Sequence, residues 1–99
     1  MNDKYVLNER GEAVPETDLM KWALWFQSGN RIVKKEQIGD SKVSTVFLGL
    51  NHSHNDSELL IWETMVFGGK LDREMDRCGG TREQAEAMHE KMVRRVKNA

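Results

Sequence analysis

Two histidines and an aspartate alternate in one loop of the sequence, in the pattern His52-x-His54-x-Asp56. Side chains of these types ligate metal ions, but a structural zinc site needs four ligands and a catalytic site needs three that a second shell holds. No cysteine pair supplies the remainder, and we interpret His89 as a helix residue that packs at the margin of the core. We therefore expect no metal site, and we interpret His52 as a loop residue that hydrogen-bonds a ligand or water.

A single glutamate, Glu63, interrupts the otherwise apolar segment from Leu59 to Phe67. If Glu63 points inward it needs a cation, which Arg73 or Arg77 could supply, because an unpaired buried carboxylate is costly. If it points outward it is solvated on a half-wet face. No serine, cysteine or second carboxylate stands beside it at a spacing typical of hydrolases, so we expect no catalytic residues.

Arginine and aromatic side chains are the best candidates for binding a nucleotide. Guanidinium groups bind phosphate oxygens bidentately, and aromatic rings stack on bases. The candidates for phosphate are Arg73, Arg77, Arg94 and Arg95, and those for a base are Trp62 and Phe67. Each also has an ordinary role, in a charged edge, a solvated helix face or the core. A binding site therefore requires that they converge in the fold.

The composition restricts the class of protein. The chain has 99 residues, 15 basic and 16 acidic, with a formal net charge of -1, which argues against general binding to a nucleic-acid backbone. This length predicts one domain, 1–99. The single cysteine, Cys78, excludes an internal disulfide and fits a reducing cytoplasm. Neither a membrane span nor a signal peptide is evident, so we expect a cytoplasmic protein that contacts no membrane.

The segment from Lys42 to Gly69 organises the predicted fold. Two runs rich in β-branched and aromatic residues flank a polar loop, which is typical of neighbouring antiparallel strands. The run from Lys42 to Leu50 is apolar on both faces, so we expect it at the sheet centre and covered on both sides. A largely polar strand from Arg31 to Ile38 should form an edge. Apolar residues on both faces of the central strands further predict a homo-oligomer.

The segment from Leu19 to Gln27 has helical periodicity and follows an N-cap at Thr17 or Asp18. One apolar stripe, interpreted as core, consists of Leu19, Trp22, Ala23 and Phe26. Additional apolar side chains at Met20, Leu24 and Trp25 indicate that the helix is either covered on two sides or contacts a partner.

The C-terminal part predicts an edge strand and a second helix. The strand lies within the charged segment from Leu71 to Cys78, and Thr81 with Gln84 forms a capping box that starts the helix. The apolar face of the helix comprises Ala85, Met88, His89, Met92, Val93 and Val96. With a short hairpin from Lys4 to Val14, these elements predict an α+β fold: an antiparallel sheet of about four or five strands packed with two α-helices.

The run Val43-Ser-Thr-Val-Phe-Leu-Gly-Leu50, the run Trp62-Glu-Thr-Met-Val-Phe-Gly-Gly69 and the helix containing Ala87-Met-His89 resemble a family of small proteins encoded by tailed phages and prophages. The resemblance extends from about Tyr5 to Val96. The chain departs from the family around Cys78, where a tyrosine or similar residue is usual.

In plan, such proteins are similar to the anti-Thoeris sponges, which sequester cyclic ADP-ribose isomers in oligomers with ligand sites at subunit junctions. The resemblance implies a counter-defence protein in the host cytoplasm that binds a nucleotide signal without catalysis or cofactor. The ligand-binding residues it implies are Phe67, Arg73, Arg77, Arg94 and His52. Two alternatives are inhibition of a host or defence protein by direct contact through Trp25, and nucleotide cleavage involving Glu63 and His52.

Overall fold

The computed structural model describes residues 2–53 and 58–99. Within these ranges the chain forms two helices and six strands. In chain order they are β1 (Tyr5–Leu7), β2 (Ala13–Pro15), α1 (Leu19–Ser28), β3 (Ile32–Ile38), β4 (Ser41–Phe47), β5 (Trp62–Phe67), β6 (Met75–Cys78) and α2 (Arg82–Lys97).

Four of the strands form one antiparallel sheet in the order β3-β4-β5-β6, and β1 pairs with β2 in a separate hairpin. The predicted α+β class, with an antiparallel sheet of four strands and two helices, is confirmed. The polar strand β3 lies at one edge and the charged strand β6 at the other, as the sequence predicts. The apolar strands β4 and β5 are central because their neighbours pair with both of their edges.

Helix α2 covers one face of this sheet. It begins with the predicted capping box, in which the Thr81 hydroxyl accepts from the Gln84 N–H and the Gln84 side chain accepts from the Thr81 N–H. Its buried residues are Ala85, Met88, His89, Met92 and Val93. They pack against what we call the covered face of the two central strands, formed by Val43, Thr45, Phe47, Trp62, Thr64 and Val66.

Alternate residues of the same strands point away from α2 and form a second surface, the open face. Its central strands contribute Lys42, Ser44, Val46, Glu63, Met65 and Phe67, and its edge strands contribute Ile32, Lys35, Gln37, Met75 and Arg77. Neither of the two helices lies on it. Among the described residues, α2 covers one face of β4, and the expectation that an oligomer covers the other face stays a prediction.

Helix α1 packs beside the sheet through its aromatic residues. Asp18 is the N-cap and accepts from two backbone N–H groups of the first turn. The Trp22 indole donates to the Gly49 carbonyl at 3.0 Å, and the Trp25 ring meets Phe47 edge-on at 5.7 Å between centroids.

The predicted core stripe of α1 is wrong in part. Leu19 is 65% exposed and Ala23 is exposed, whereas Trp22 and Phe26 are half-buried. The helix is rotated so that its largest rings contact the rest of the fold, because they offer more apolar area than leucine or alanine. Leu19, Met20 and Leu24 consequently form an exposed apolar ridge on the outer side of α1, the α1 ridge. Among the helices described, none is both long and apolar enough to cross a membrane.

Candidate functional site

An ion pair joins β5 to the edge strand β6 on the open face. Glu63 and Arg77 are opposite each other on β5 and β6, and Arg77 Nε donates to Glu63 Oε2 at 2.9 Å. Their side chains are only 16% and 29% exposed, because neighbouring strand residues surround them. The structure combines the two alternatives for Glu63: its side chain lies on the open face, yet it is only slightly exposed and has Arg77 as its cation. Arg77 is thereby neutralised, so it offers less to an anionic ligand than the sequence suggests.

One end of the open face carries an exposed aromatic ring with a cation against it. Phe67, the last residue of β5, is 47% exposed. Lys42, its partner on β4, places Nζ 5.5 Å from the centre of the ring. This cation–π pair holds a positive charge beside a flat apolar surface.

Arg73 lies in the connection that follows Phe67. Its backbone N–H donates to the Val66 carbonyl at 2.8 Å, which brings Arg73 close in space to the end of β5. Its φ of 73° is positive, a conformation that costs a non-glycine residue about 1 kcal/mol or more. The side chain is 91% exposed, with the Asp72 carboxylate 3.8 Å away. Phe67, Lys42 and Arg73 form the exposed cluster that we call the Phe67 cluster.

Arg94 and His52 lie apart from the Phe67 cluster. Arg94 is on α2, on the opposite side of the sheet, where it lines a shallow cavity with Leu71 and Asn98. His52 follows β4, and its N–H donates to the Leu60 carbonyl just before β5. It therefore lies beyond the end of β5 that is opposite Phe67, and the strand between them is about 16 Å long.

Of the five predicted ligand residues, the structure therefore places Phe67 and Arg77 on one face and Arg73 at its end. Arg94 and His52 do not join them. Of the other candidates for a nucleotide, Trp62 is fully buried in the covered face, and Arg95 is paired with Glu74 at 3.3 Å. His54 and Asp56 lie outside the described residues.

The covered face contains a chain of hydrogen-bonded polar groups that the sequence did not reveal. The hydroxyls of Thr64 and Thr45 are in contact, and Thr45 Oγ1 lies 2.7 Å from His89 Nδ1. His89 Nε2 lies 2.9 Å from Glu36 Oε1 on β3, where its N–H donates to the carboxylate. His89 is fully buried at the centre of the α2 packing surface, so its predicted place at the core margin is wrong.

This chain of groups ends at the protein surface in two ion pairs. Lys34 Nζ lies 2.8 Å from Glu90 Oε1 and 3.3 Å from Glu36 Oε1. The hydrogen bond from His89, together with Lys34, lowers the pKa of the Glu36 carboxyl from its ordinary value. The bonds to Glu90 and Glu36 raise the pKa of the Lys34 ammonium. Glu36 is thus held ionised next to the histidine.

A hydroxyl, an imidazole and a carboxylate in sequence match the components of a nucleophilic triad. Thr45 and His89 are each 0% exposed, however, so no substrate can reach the hydroxyl. The arrangement instead satisfies polar groups within the core, and no buried side-chain nitrogen or oxygen of residues 2–53 and 58–99 is left without a partner. The signal that could have found it is a histidine within the apolar stripe of α2, facing strands that each carry a threonine.

Three donors in this region could hold a metal ion: Glu36, His89 and Glu90, whose ligand atoms all lie within 4.8 Å of one another.

Cys78 is on β6, at the edge of the sheet opposite β3, so its thiol does not belong to this group. Burial raises the pKa of that thiol, and the nearby Asp76 adds to the effect, which disfavours the reactive thiolate.

Comparisons with known proteins found no match: no protein-family model, no curated protein and no solved structure matches the chain.

Proposed function

We propose that this protein is a phage-encoded counter-defence protein that binds and sequesters a nucleotide signal in the host cytoplasm without catalysis. The ligand class, a cyclic ADP-ribose isomer or a cyclic oligonucleotide, follows from the resemblance to sponge proteins. The observation that carries the proposal is the Phe67 cluster, in which an exposed ring has the Lys42 ammonium against it and the exposed Arg73 in the adjoining turn, at one end of the open face.

The chemistry of the cluster suits a nucleotide. A base stacks on an exposed phenyl ring regardless of its hydrogen-bonding edge, and this contact contributes about 1–3 kcal/mol. Lys42 already lies 5.5 Å from that ring, and Arg73 adds a guanidinium that is 91% exposed. Phosphate groups beside the base would meet both charges.

The open face is flat, so a single copy would leave one side of the ligand in water. A second copy stacked on this face would enclose it, which agrees with the predicted homo-oligomer and with ligand sites at subunit junctions. Ile32, Phe67 and Met75, which are 41–47% exposed, supply apolar area for such a contact.

The test is calorimetric titration of the purified protein with cyclic ADP-ribose isomers and cyclic dinucleotides. Phe67→Ala should weaken binding about tenfold or more, because it removes the stacking surface. Arg73→Ala should weaken it as well, whereas Arg94→Ala should bind like the wild type, since Arg94 is on the other side of the sheet. Heat release should return the ligand unchanged. An altered ligand, or the absence of binding to any of these nucleotides, would refute the proposal.

A second candidate function is inhibition of a host or defence protein by direct contact. It is favoured by the α1 ridge, where Leu19, Met20 and Leu24 are 60–68% exposed. An amphipathic helix of this kind fits an apolar groove of a partner. Trp25, the anchor expected from the sequence, is half-buried against Phe47 and so is not free for this role. Met20→Ser with Leu24→Ser should abolish such inhibition and leave nucleotide titrations unchanged.

A further inference from the structure

We propose that Glu36, His89 and Glu90 form a zinc site, with Lys34 as a built-in competitor for the ion. The proposal is independent of the proposed function, because these residues lie on the α2 side of the sheet and the Phe67 cluster lies on the other.

The donor set fits a borderline-soft divalent ion. One imidazole nitrogen and two carboxylate oxygens are zinc ligands, and the imidazole favours Zn²⁺ over Mg²⁺ or Ca²⁺, which prefer oxygen. Ligands of a tetrahedral zinc lie about 3.3 Å apart, given metal–ligand distances of about 2.0–2.1 Å. The three donor atoms already lie within 4.8 Å of one another, and the Glu90 side chain is 47% exposed, so a rotation of Glu90 can close the set.

The histidine is fixed as a metal ligand would be. His89 is 0% exposed, and its Nδ1 lies 2.7 Å from the Thr45 hydroxyl, which orients the ring so that Nε2 points out of the core toward Glu36. With the ring proton on Nδ1, donated to Thr45 Oγ1, the lone pair of Nε2 faces the ion. Thr45 can then donate its own proton to Thr64, so the buried chain stays hydrogen-bonded. Such an outer partner is usual for metal-ligating histidines.

Lys34 places a positive charge among the same oxygens. Its Nζ is 2.8 Å from Glu90 Oε1 and 3.3 Å from Glu36 Oε1, so the ammonium and a metal ion would exclude each other. The Lys34 side chain is 47% exposed on an edge strand and can swing into solvent when an ion binds. Zinc affinity should therefore be set by competition with this lysine.

The experiment is a titration of the full chain with Zn²⁺ alone, read by competition with a chromogenic chelator. Wild type should bind one ion per chain. Lys34→Met should bind about tenfold tighter, because it removes a positive charge within about 4 Å of the ion. Glu90→Gln should bind zinc about tenfold or more weakly, because it replaces an anionic carboxylate ligand by a neutral amide. Both residues are part-exposed, so neither variant threatens the fold.

Two matched controls separate this site from surface binding. Lys35→Met removes the same charge one residue away on the opposite face, and Glu86→Gln removes an exposed carboxylate one turn earlier on α2; both should match the wild type. Zinc should also raise the melting temperature of Lys34→Met more than that of Glu90→Gln. The proposal is overturned if Lys34→Met binds zinc no tighter than Lys35→Met, or if Glu90→Gln binds zinc as tightly as the wild type.

Discussion

The two faces of the four-stranded sheet are built from alternate residues of the same strands, yet their side chains differ in exposure. On the covered face, Val43, Thr45 and Val66 are each 0% exposed beneath α2. On the open face, Phe67 and Met75 are 47% and 41% exposed. Helix α2 of this chain buries the covered face, whereas the open face exposes apolar and cationic side chains.

The polar groups of the two faces differ in the same way. His89 and Thr45 on the covered side have each other as partners, and their chain of hydrogen bonds reaches the surface through Glu36. The open side pairs Glu63 with Arg77 between β5 and the edge strand β6 but leaves the Phe67 cluster facing water. Stability therefore resides mainly on the covered face, and the open face is the surface to which our proposal assigns ligand binding.

The largest expected effect compares two phenylalanines. Phe47→Ala removes a 0%-exposed ring that contacts Trp25 and Trp62, so it should lower the free energy of unfolding by about 3–5 kcal/mol. Phe67→Ala removes a ring that is 47% exposed, and should cost about 1 kcal/mol or less. Urea unfolding at a fixed, low protein concentration measures both. Equal losses would contradict the contrast between the faces.

The next effect concerns neighbouring residues of β4 that point to opposite faces. Thr45→Val keeps the shape but removes the hydroxyl between His89 and Thr64, leaving buried groups unpaired, at a cost of about 1–3 kcal/mol. The reverse change, Val46→Thr, adds a hydroxyl on the half-buried open face and should cost about 1 kcal/mol or less. Chemical unfolding compares the two. A more harmful Val46→Thr would show that the open face is covered in solution.

The features that the sequence predicted correctly depend on local signals. The start of α2 follows from Thr81 and Gln84 three residues apart, and its buried face follows from helical periodicity. The polar and charged sequences of β3 and β6 predict edge strands, and the apolar sequences of β4 and β5 predict central strands. For Glu63 the sequence left two alternatives, a carboxylate paired with Arg73 or Arg77 and a solvated one, and the structure pairs it with Arg77 on the open face.

The features that it missed depend on register and rotation, which periodicity does not give. A register shift between Ile32 and Lys34 places Ile32 on the open face, opposite to Lys34 and Glu36, although strict alternation would keep the three on one face. The rotation of α1 depends on competition among three aromatic rings for the same surface. The separation of Arg94 and His52 from Phe67 depends on which layer each element joins. None of these can be deduced from spacing along the chain.

A smaller effect compares two arginines at the margins of the open face. Arg77→Met leaves Glu63, whose side chain is 16% exposed, without its cation, and should cost about 1–2 kcal/mol, between the values for surface and buried pairs. Arg73→Met alters a 91%-exposed side chain and should change stability by about 0.5 kcal/mol or less. Thermal unfolding distinguishes them. Equal losses in the two variants would contradict the difference in burial between the two arginines.

The smallest effect is a pH dependence at the surface end of the buried chain. His89 and Lys34 hold the pKa of the Glu36 carboxyl below its ordinary value of 4.5. A group with a lowered pKa in the folded state stabilises the fold above its unfolded pKa, and this contribution is lost as the pH falls through the folded value. Wild type should therefore lose this contribution below about pH 4.5, whereas Lys34, whose raised pKa acts above 10.5, contributes equally throughout that range.

Glu36→Gln isolates this contribution, because its amide oxygen still accepts from the His89 Nε2–H but does not titrate. Its free energy of unfolding should be lower than that of wild type near neutral pH, and the difference should narrow as the solution is acidified. Urea unfolding at several acidic pH values measures the two slopes, with the exposed Glu86→Gln as the control that keeps the wild-type slope. Parallel curves for Glu36→Gln and wild type would mean that the bond from His89 does not favour the ionised carboxylate. Acidification would then weaken no contact that Glu36 makes on the covered face.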